Sequence, residues 1–506
     1  MPWRKPWIDP SEPPWPSDPS ALRSALERRA YEVWISEIML QQTRVAVVID
    51  YWNRWMARWP TIHHLARATP DDVLSAWRGL GYYSRATRIH DAATLVVADP
   101  AMRGLLPREV AELEKKVPGV GRYTAGAIAA IVFGLPAPMV DGNVLRVLSR
   151  QLGLFANVKT DKSAVDLLWA AADALVRAVA TDGQPPHDSS PMTTDEETPV
   201  PNDRPGRWGQ ALMELGSTVC TPKPNCAQCP ITSTCRAYAE GQALASKTKA
   251  KSNSGQSLDI EDVICTLCQP FEAASVEDVT GDAEVVVETK GGSKKTKSAK
   301  QVTLSVFFEH KHTLTTTGKM EAIVDHCRKF PVKGVKKAVR EQETLVCAIR
   351  RDDGSYLISR RPDKGLLAGL WEFPSRILVD GDEEASSKAA RSKLAISHVT
   401  EMLGRKQRDG LTGGQGVFTD LKGLNYEGEL GSVPWLFSHL KLTMHVHVFV
   451  LDGGWSDAGA LSTPPAMQRW ASRDEVDCES MGTGMRRCWA LVQDWEREIS
   501  EATDGQ

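Results

Sequence analysis

The chain has no run of 18 or more apolar residues, so nothing in it is long enough to cross a bilayer as a helix. Its opening stretch, MPWRKPWIDPSEPPWPSDPS, is rich in proline and lacks the apolar core of a secretory leader. Together these absences predict a soluble, intracellular protein that does not engage a membrane. An excess of positive charge is missing too: 61 Lys and Arg stand against 64 Asp and Glu, a formal net charge of −3. Coating of nucleic acid by bulk charge is thereby excluded, and any such contact must be local. The ten cysteines are not evenly spread. Cys220, Cys226, Cys229 and Cys235 crowd together and Cys265 and Cys268 follow; in a reducing compartment such clusters point to metal rather than disulfides.

What is present is organised around Val117–Asn143, VPGVGRYTAGAIAAIVFGLPAPMVDGN. Pro118, Gly119, Val120 and Gly121 form a tight turn opening an Ala-rich helix over 122–133, whose first amides attract anions. Asp141-Gly142-Asn143 follows just ahead of the helical run 144–152, and sets an acid near a phosphate site. Glu37, in SEIMLQQT, has Val33 and Trp34 one turn before it and Leu40 and Gln41 one turn after, on a helix read over 31–50. An apolar surrounding disfavours its charge and suits a general acid. The stretch Trp77–Arg88, WRGLGYYSRATR, mixes arginines with two tyrosines at a loop–helix junction, a pattern that suits phosphate contact and wedging between bases.

At 506 residues the chain is long enough for about three domains. Helical periodicity with Pro and Gly punctuation marks residues 1–242 as all-α, interrupted by a Pro-, Asp- and Thr-rich insertion over about 181–206. It ends on C-x5-C-x2-C-x5-C, for which zinc and a 4Fe-4S cluster are equally open on chemistry alone. Residues 243–343 are Lys-, Ser- and Thr-rich and read as a disordered linker. Within it, Cys265 and Cys268 supply half of a zinc site with no second pair nearby, and free thiols are an equal reading. Gln301-Val302-Thr303-Leu304-Ser305-Val306-Phe307-Phe308 follows a basic run and offers Leu304, Phe307 and Phe308 as a hydrophobic plug. From 344 to 500 the texture is α/β: a hairpin around Asp352-Asp353-Gly354, strands at 435–440 and 444–451, and helices near 385–403 and 485–498.

These residues carry a family resemblance. VWISEIMLQQT, GLGYYSRA, VPGVGRYTAGAI, VDGNVLRVLSR, ALMELGSTVC and the four-Cys loop are similar to helix-hairpin-helix glycosylases. FPVKGVKKAVREQET, LLAGLWEFP and LFSHL resemble a Nudix-like recognition domain. Together they resemble the MutY-type adenine DNA glycosylases, of eukaryotic kind, which remove adenine mispaired with 8-oxoguanine. The resemblance implies Glu37 as the general acid and Asp141 as the carboxylate facing the developing oxocarbenium ion, assisted by Tyr123 and Asn143. It implies Gln210 at the extruded adenine, Gln42 and Tyr82 as wedges, and Gly119, Val120 and Gly121 on backbone phosphate. It makes Cys220, Cys226, Cys229 and Cys235 ligands of a 4Fe-4S cluster, and Ser438 and His439 a contact to 8-oxoguanine in double-stranded DNA.

Superfamily members that also cut the backbone carry a lysine where Tyr123 stands, so the resemblance implies base removal without strand cleavage. After Glu372-Phe373-Pro374 there is no Glu-rich REx2EE run, so the Nudix-like domain is expected to read the lesion rather than hydrolyse nucleotides. Gln301, Leu304, Phe307 and Phe308 match the pattern that docks on the PCNA sliding clamp, which with the Lys-rich linker implies a nuclear location; a mitochondrial form is left open by the sequence, and a monomer is expected. The chain starts inside the family's LPWR segment, so the natural start is expected upstream. Two other readings compete: a bifunctional pyrimidine-lesion glycosylase-lyase, and a non-catalytic lesion-binding adaptor.

Overall fold

The computed structural model describes residues 1–182, 200–247, 316–334, 339–362, 365–378, 387–408, 423–437, 440–452 and 468–504. They fall into two compact units, Met1–Ile128 with Lys336–Gln506, and Ala129–Val335. Among the described residues no helix is long and apolar enough to cross a membrane.

The first unit opens with α1 (Pro19–Leu40), α2 (Val45–Arg58), α3 (Ile62–Ala66), α4 (Pro70–Ala76), α5 (Ser84–Ala98) and α6 (Val110–Lys116). Asp18 starts α1 by accepting the Ala21 amide, with Pro19 in the first turn. From Arg29 to Met39 every residue of α1 is buried, which makes it the spine of a tryptophan-rich core. Trp55 packs edge-on to both Trp59 and Trp77, at 4.7 and 5.5 Å, and its indole N–H donates to the Tyr31 hydroxyl at 3.0 Å. The single helix read over 31–50 is two. It breaks after Leu40 and resumes at Val45: the Gln41 N–H closes a tightened last turn on Ile38 O, and the Arg85 guanidinium donates to the carbonyls of Ile38, Met39 and Gln41 at that end.

α7 (Arg122–Phe133) begins in this unit and continues past Ile128 into the second, which holds α8 (Gly142–Leu152), α9 (Lys162–Thr181), α10 (Arg204–Thr218), α11 (Arg236–Lys247) and α12 (Thr316–Arg328). α12 lies inside the stretch read as linker. It packs on α11 because Ile323, Cys327 and the following Phe330 close a buried cluster with Ala237, Ala245 and Phe155, an apolar stripe that the Lys- and Ser-rich composition around it conceals. Residues 183–199 of the insertion, and 248–315 with Cys265, Cys268 and the clamp motif Gln301, Leu304, Phe307 and Phe308, lie outside the described residues.

The remainder of the first unit is a seven-stranded mixed sheet: β1 (Arg340–Arg351), β2 (Tyr356–Arg360), β3 (Trp371–Glu372), β4 (Ser375–Ile377), β5 (Leu424–Leu436), β6 (Leu440–Leu451) and β7 (Gln468–Ala471). The order is β3-β2-β1-β6-β5, with β4 on β1 and β7 on β2. β1 reads as a continuous apolar run because both faces are covered. Leu345, Cys347 and Ile349 meet Ala395, Val399 and Leu403 of α13 (Lys388–Arg408). Val346 and Ala348 face Met485, Cys488, Trp489 and Val492 of α15 (Thr483–Asp504), which follows the short α14 (Arg473–Cys478). The hairpin read at 352–354 is the β1–β2 turn, with Gly354 at φ 80°. The strand read over 435–440 is instead the end of β5 and the start of β6, paired antiparallel with Leu436 opposite Lys441.

Candidate active site

Glu37 sits on the buried stretch of α1, 5% exposed. The Tyr123 hydroxyl, from the first turn of α7, donates to its carboxylate oxygen at 2.7 Å. The turn that delivers Tyr123 needs Gly119, at φ 80°, where an added Cβ would lie 3.0 Å from the Cβ of Arg88. Val120 is buried beneath the turn, whereas Gly119, Gly121 and Arg122 are exposed, as an anion contact at a helix start requires.

Gln42 and Tyr82 are both exposed, Tyr82 to 52%, and both have left-handed backbones, φ 55° and 49°. What holds them is Arg85, which sequence reasoning did not single out. Its guanidinium is 8% exposed and donates to the carbonyls of Ile38 (2.7 Å), Met39 (3.3 Å), Gln41 (2.8 Å), Leu80 (3.3 Å) and Gly81 (3.0 Å). One cation thus ties the frayed end of α1, just beyond Glu37, to the loop before Tyr82. Burial lowers its pKa to about 10, which leaves it charged at neutral pH.

In the second unit Asp141 caps α8. One carboxylate oxygen accepts the Val144 amide at 2.8 Å and the other accepts the Asn143 side-chain amide at 2.7 Å. Asn143 is in turn held by Arg146, whose guanidinium donates to the Asn143 side-chain oxygen (2.8 Å), to Gly216 O (2.8 Å) and to Cys220 O (2.9 Å). At Gly216 an added Cβ would fall 2.8 Å from the Asn143 Cβ, so α10 approaches this network as closely as backbone allows. Gln210 is half-buried on α10 and donates to Gly206 O of its own helix at 3.0 Å; no hydrogen bond links it to Asp141.

Arg150 lies one turn beyond Arg146, so α8 presents two cations to the cysteine loop. Only 2% exposed, Arg150 donates to Cys220 Sγ and Cys220 O, both at 3.1 Å, and to Thr221 O at 2.8 Å. The i, i+4 arginines in VLRVLSR were the available signal for this pair. Among the described residues no group of three or more His, Cys, Asp or Glu converges on a metal position as the side chains stand. Cys220, Cys226, Cys229 and Cys235 nevertheless line one cavity. A hydrogen bond from Cys327 lowers the Cys226 thiol to about 7, while burial raises Cys229 and Cys235. An all-sulfur donor set backed by a fixed cation fits an anionic, thiolate-ligated centre.

Against the sheet lies a cavity of about 330 Å³ lined by Trp371, Glu372, Trp435, Phe437 and Met485 among others. Burial raises the Glu372 carboxyl, which is paired with Arg361. Phe437 closes the β5–β6 connection by donating its N–H to Leu440 O at 2.7 Å; Ser438 and His439 lie outside the described residues.

Residues 35–171 match the model of the HhH-GPD superfamily base excision DNA repair proteins, and residues 345–491 that of the NUDIX domain. The chain is 34% identical over 475 residues to the adenine DNA glycosylase of Homo sapiens, which covers 92% of this chain and 69% of that one. It is 33% identical over 473 residues to the Mus musculus adenine DNA glycosylase, 92% and 72% covered, and 34% identical over 456 residues to that of Schizosaccharomyces pombe, 88% and 77% covered. With its helical base-excision part and its Nudix-like sheet, the chain belongs to the adenine DNA glycosylase family of DNA N-glycosylases.

Proposed function

We propose that this protein is a monofunctional glycosylase of base excision repair that removes adenine paired with 8-oxoguanine, or with guanine, and leaves an abasic site. The observation that carries this reading is the hydrogen bond from Tyr123 to the buried Glu37 carboxylate. A protonated Glu37 passes its proton to the adenine as the glycosidic bond breaks and the bonding pair leaves with the base. General acid catalysis of this kind contributes roughly 10²–10⁴-fold. Tyr123 keeps the carboxyl oriented, and a phenol offers no amine for a Schiff base, so chemistry stops at the abasic site. Asp141, held through both oxygens, stabilises the positive charge growing on the sugar before water adds there.

On the DNA side, Gln42 and Tyr82 wedge into the stack as the adenine is turned out, Gln210 meets its edge, and Gly119, Val120 and Gly121 hold phosphate. Cys220, Cys226, Cys229 and Cys235 hold a 4Fe-4S cluster, which when bound cross-links the loop and supplies a redox-active centre. Ser438 and His439 contact the 8-oxoguanine, and Gln301, Leu304, Phe307 and Phe308 dock on the PCNA clamp in the nucleus.

Adenine release from an 8-oxoguanine:adenine duplex should far outpace release from a thymine:adenine duplex, and equal rates would refute the specificity. Removal of Phe307 and Phe308 should abolish clamp pull-down; unchanged capture would refute the clamp assignment.

A further inference from the structure

Five thiols, not four, line the cavity at the cysteine loop: Cys327 joins Cys220, Cys226, Cys229 and Cys235. It comes from α12, far along the chain, and is 1% exposed. Its side chain belongs to the buried cluster against which Cys226 and Cys235 pack, so its thiol shares the cavity with the sulfur of Cys226. An independent contact registers the two segments. The Arg150 guanidinium that donates to Cys220 Sγ also donates, through Nε, to Cys327 O at 2.9 Å and to Phe330 O at 3.1 Å. One buried cation therefore sets both the start of the loop and the end of α12. Packing of Ile323 and Phe330 with Ala237 and Phe155 holds α12 down over that side.

We propose that Cys327 is a positioning residue of the iron–sulfur site, donating a hydrogen bond to the ligand sulfur of Cys226 while α12 shields that side of the loop from solvent. The proposal rests on the assignment of a 4Fe-4S cluster to the four loop cysteines, which satisfy its ligand count without a fifth. A donor to a ligand sulfur favours the more negative, reduced cluster and so raises its midpoint potential, and a closed apolar cover slows attack by oxidant.

The test compares the cluster-loaded full-length protein with its Cys327→Ala and Cys327→Ser variants, with far-UV circular dichroism as the folding control. Iron per chain, midpoint potential by voltammetry, and the rate at which visible absorbance bleaches in air are recorded for each. All three proteins should retain their iron. Cys327→Ala should have a lower midpoint and bleach about threefold faster, the factor carried by a weak donor, and Cys327→Ser, which keeps a donor, should recover most of both. Variants that match the wild type overturn the proposal, as does a Ser variant as impaired as Ala, since that would reduce Cys327 to packing. Failure of Cys327→Ala to take up iron also overturns it, by making Cys327 a ligand. A wild-type protein without iron refutes the cluster assignment itself, a separate outcome from loaded proteins that do not differ.

Discussion

Replacing Arg85 by Lys should uncouple Gln42 and Tyr82, the residues proposed above to wedge into the base stack, from the helix that carries Glu37. The guanidinium donates to five carbonyls in a place that is 8% exposed. An ammonium has three N–H groups and no planar fork, so at least two carbonyls lose their donor. Ile38, Gln41 and Gly81 keep a second donor, from the Gln41 N–H, the Thr43 hydroxyl and the Trp77 indole, so the loss falls on Met39 and Leu80. At roughly 1–3 kcal/mol for each buried acceptor left unpaired, and allowing for relaxation, the substitution should destabilise by about 2 kcal/mol. Gln42 and Tyr82 also hold left-handed backbones, at φ 55° and 49°, each costing on the order of 1 kcal/mol. Without the clamp these residues relax, and the wedge loses its preset shape. A urea titration should place the first unfolding transition of Arg85→Lys at lower denaturant, and stopped-flow fluorescence of 2-aminopurine beside the target adenine should show extrusion slowed by about tenfold. A variant with lowered stability but wild-type extrusion would refute the reasoning, because Arg85 would then serve the core alone.

Gly216→Ala places a Cβ 2.8 Å from that of Asn143 and should shift the amide that holds Asp141, lowering single-turnover kcat by about tenfold or more with little change in KM; an unchanged kcat would contradict the Asp141–Asn143 network. His447, fully buried on β6, is lowered by burial from 6.5 to about 4, so unfolding takes up a proton in that window. Thermal stability of the sheet domain should therefore fall as pH drops from about 6.5 towards 4, by up to roughly 3 kcal/mol, and His447→Gln should flatten that slope in melting curves taken across the range. Borohydride added during turnover should trap no covalent protein–DNA adduct, since Tyr123 carries no amine; a robust adduct on a gel would put the protein with the lyases.

Much of this arrangement was legible in the residues. Pro118, Gly119 and Gly121 punctuate the Ala-rich run so sharply that α7 is bounded at Arg122 and Phe133 by sequence alone. Alternation in TLVCAIRR, with both sets apolar, announced a strand covered on two sides. Other features were hidden because tertiary contacts decide them. Nothing local in SEIMLQQT announces that α1 stops at Leu40, where the cation that fastens the helix end is Arg85, far along the chain. Arg146 and Arg150 look like surface cations of an amphipathic helix until α10 and the cysteine loop cover them. α12 was lost in a composition averaged over its whole surroundings, where the few apolar residues that dock it are outnumbered by lysine, serine and threonine.

The division of labour between two carboxyls is tested most directly by single-turnover release of adenine from an 8-oxoguanine:adenine duplex, measured for the wild type, Glu37→Gln and Asp141→Asn with DNA binding checked in parallel. Both variants should still bind the duplex and release adenine at least about 10²-fold more slowly. Wild-type release by either one would show that its carboxyl is idle and that cleavage of the glycosidic bond proceeds by another route.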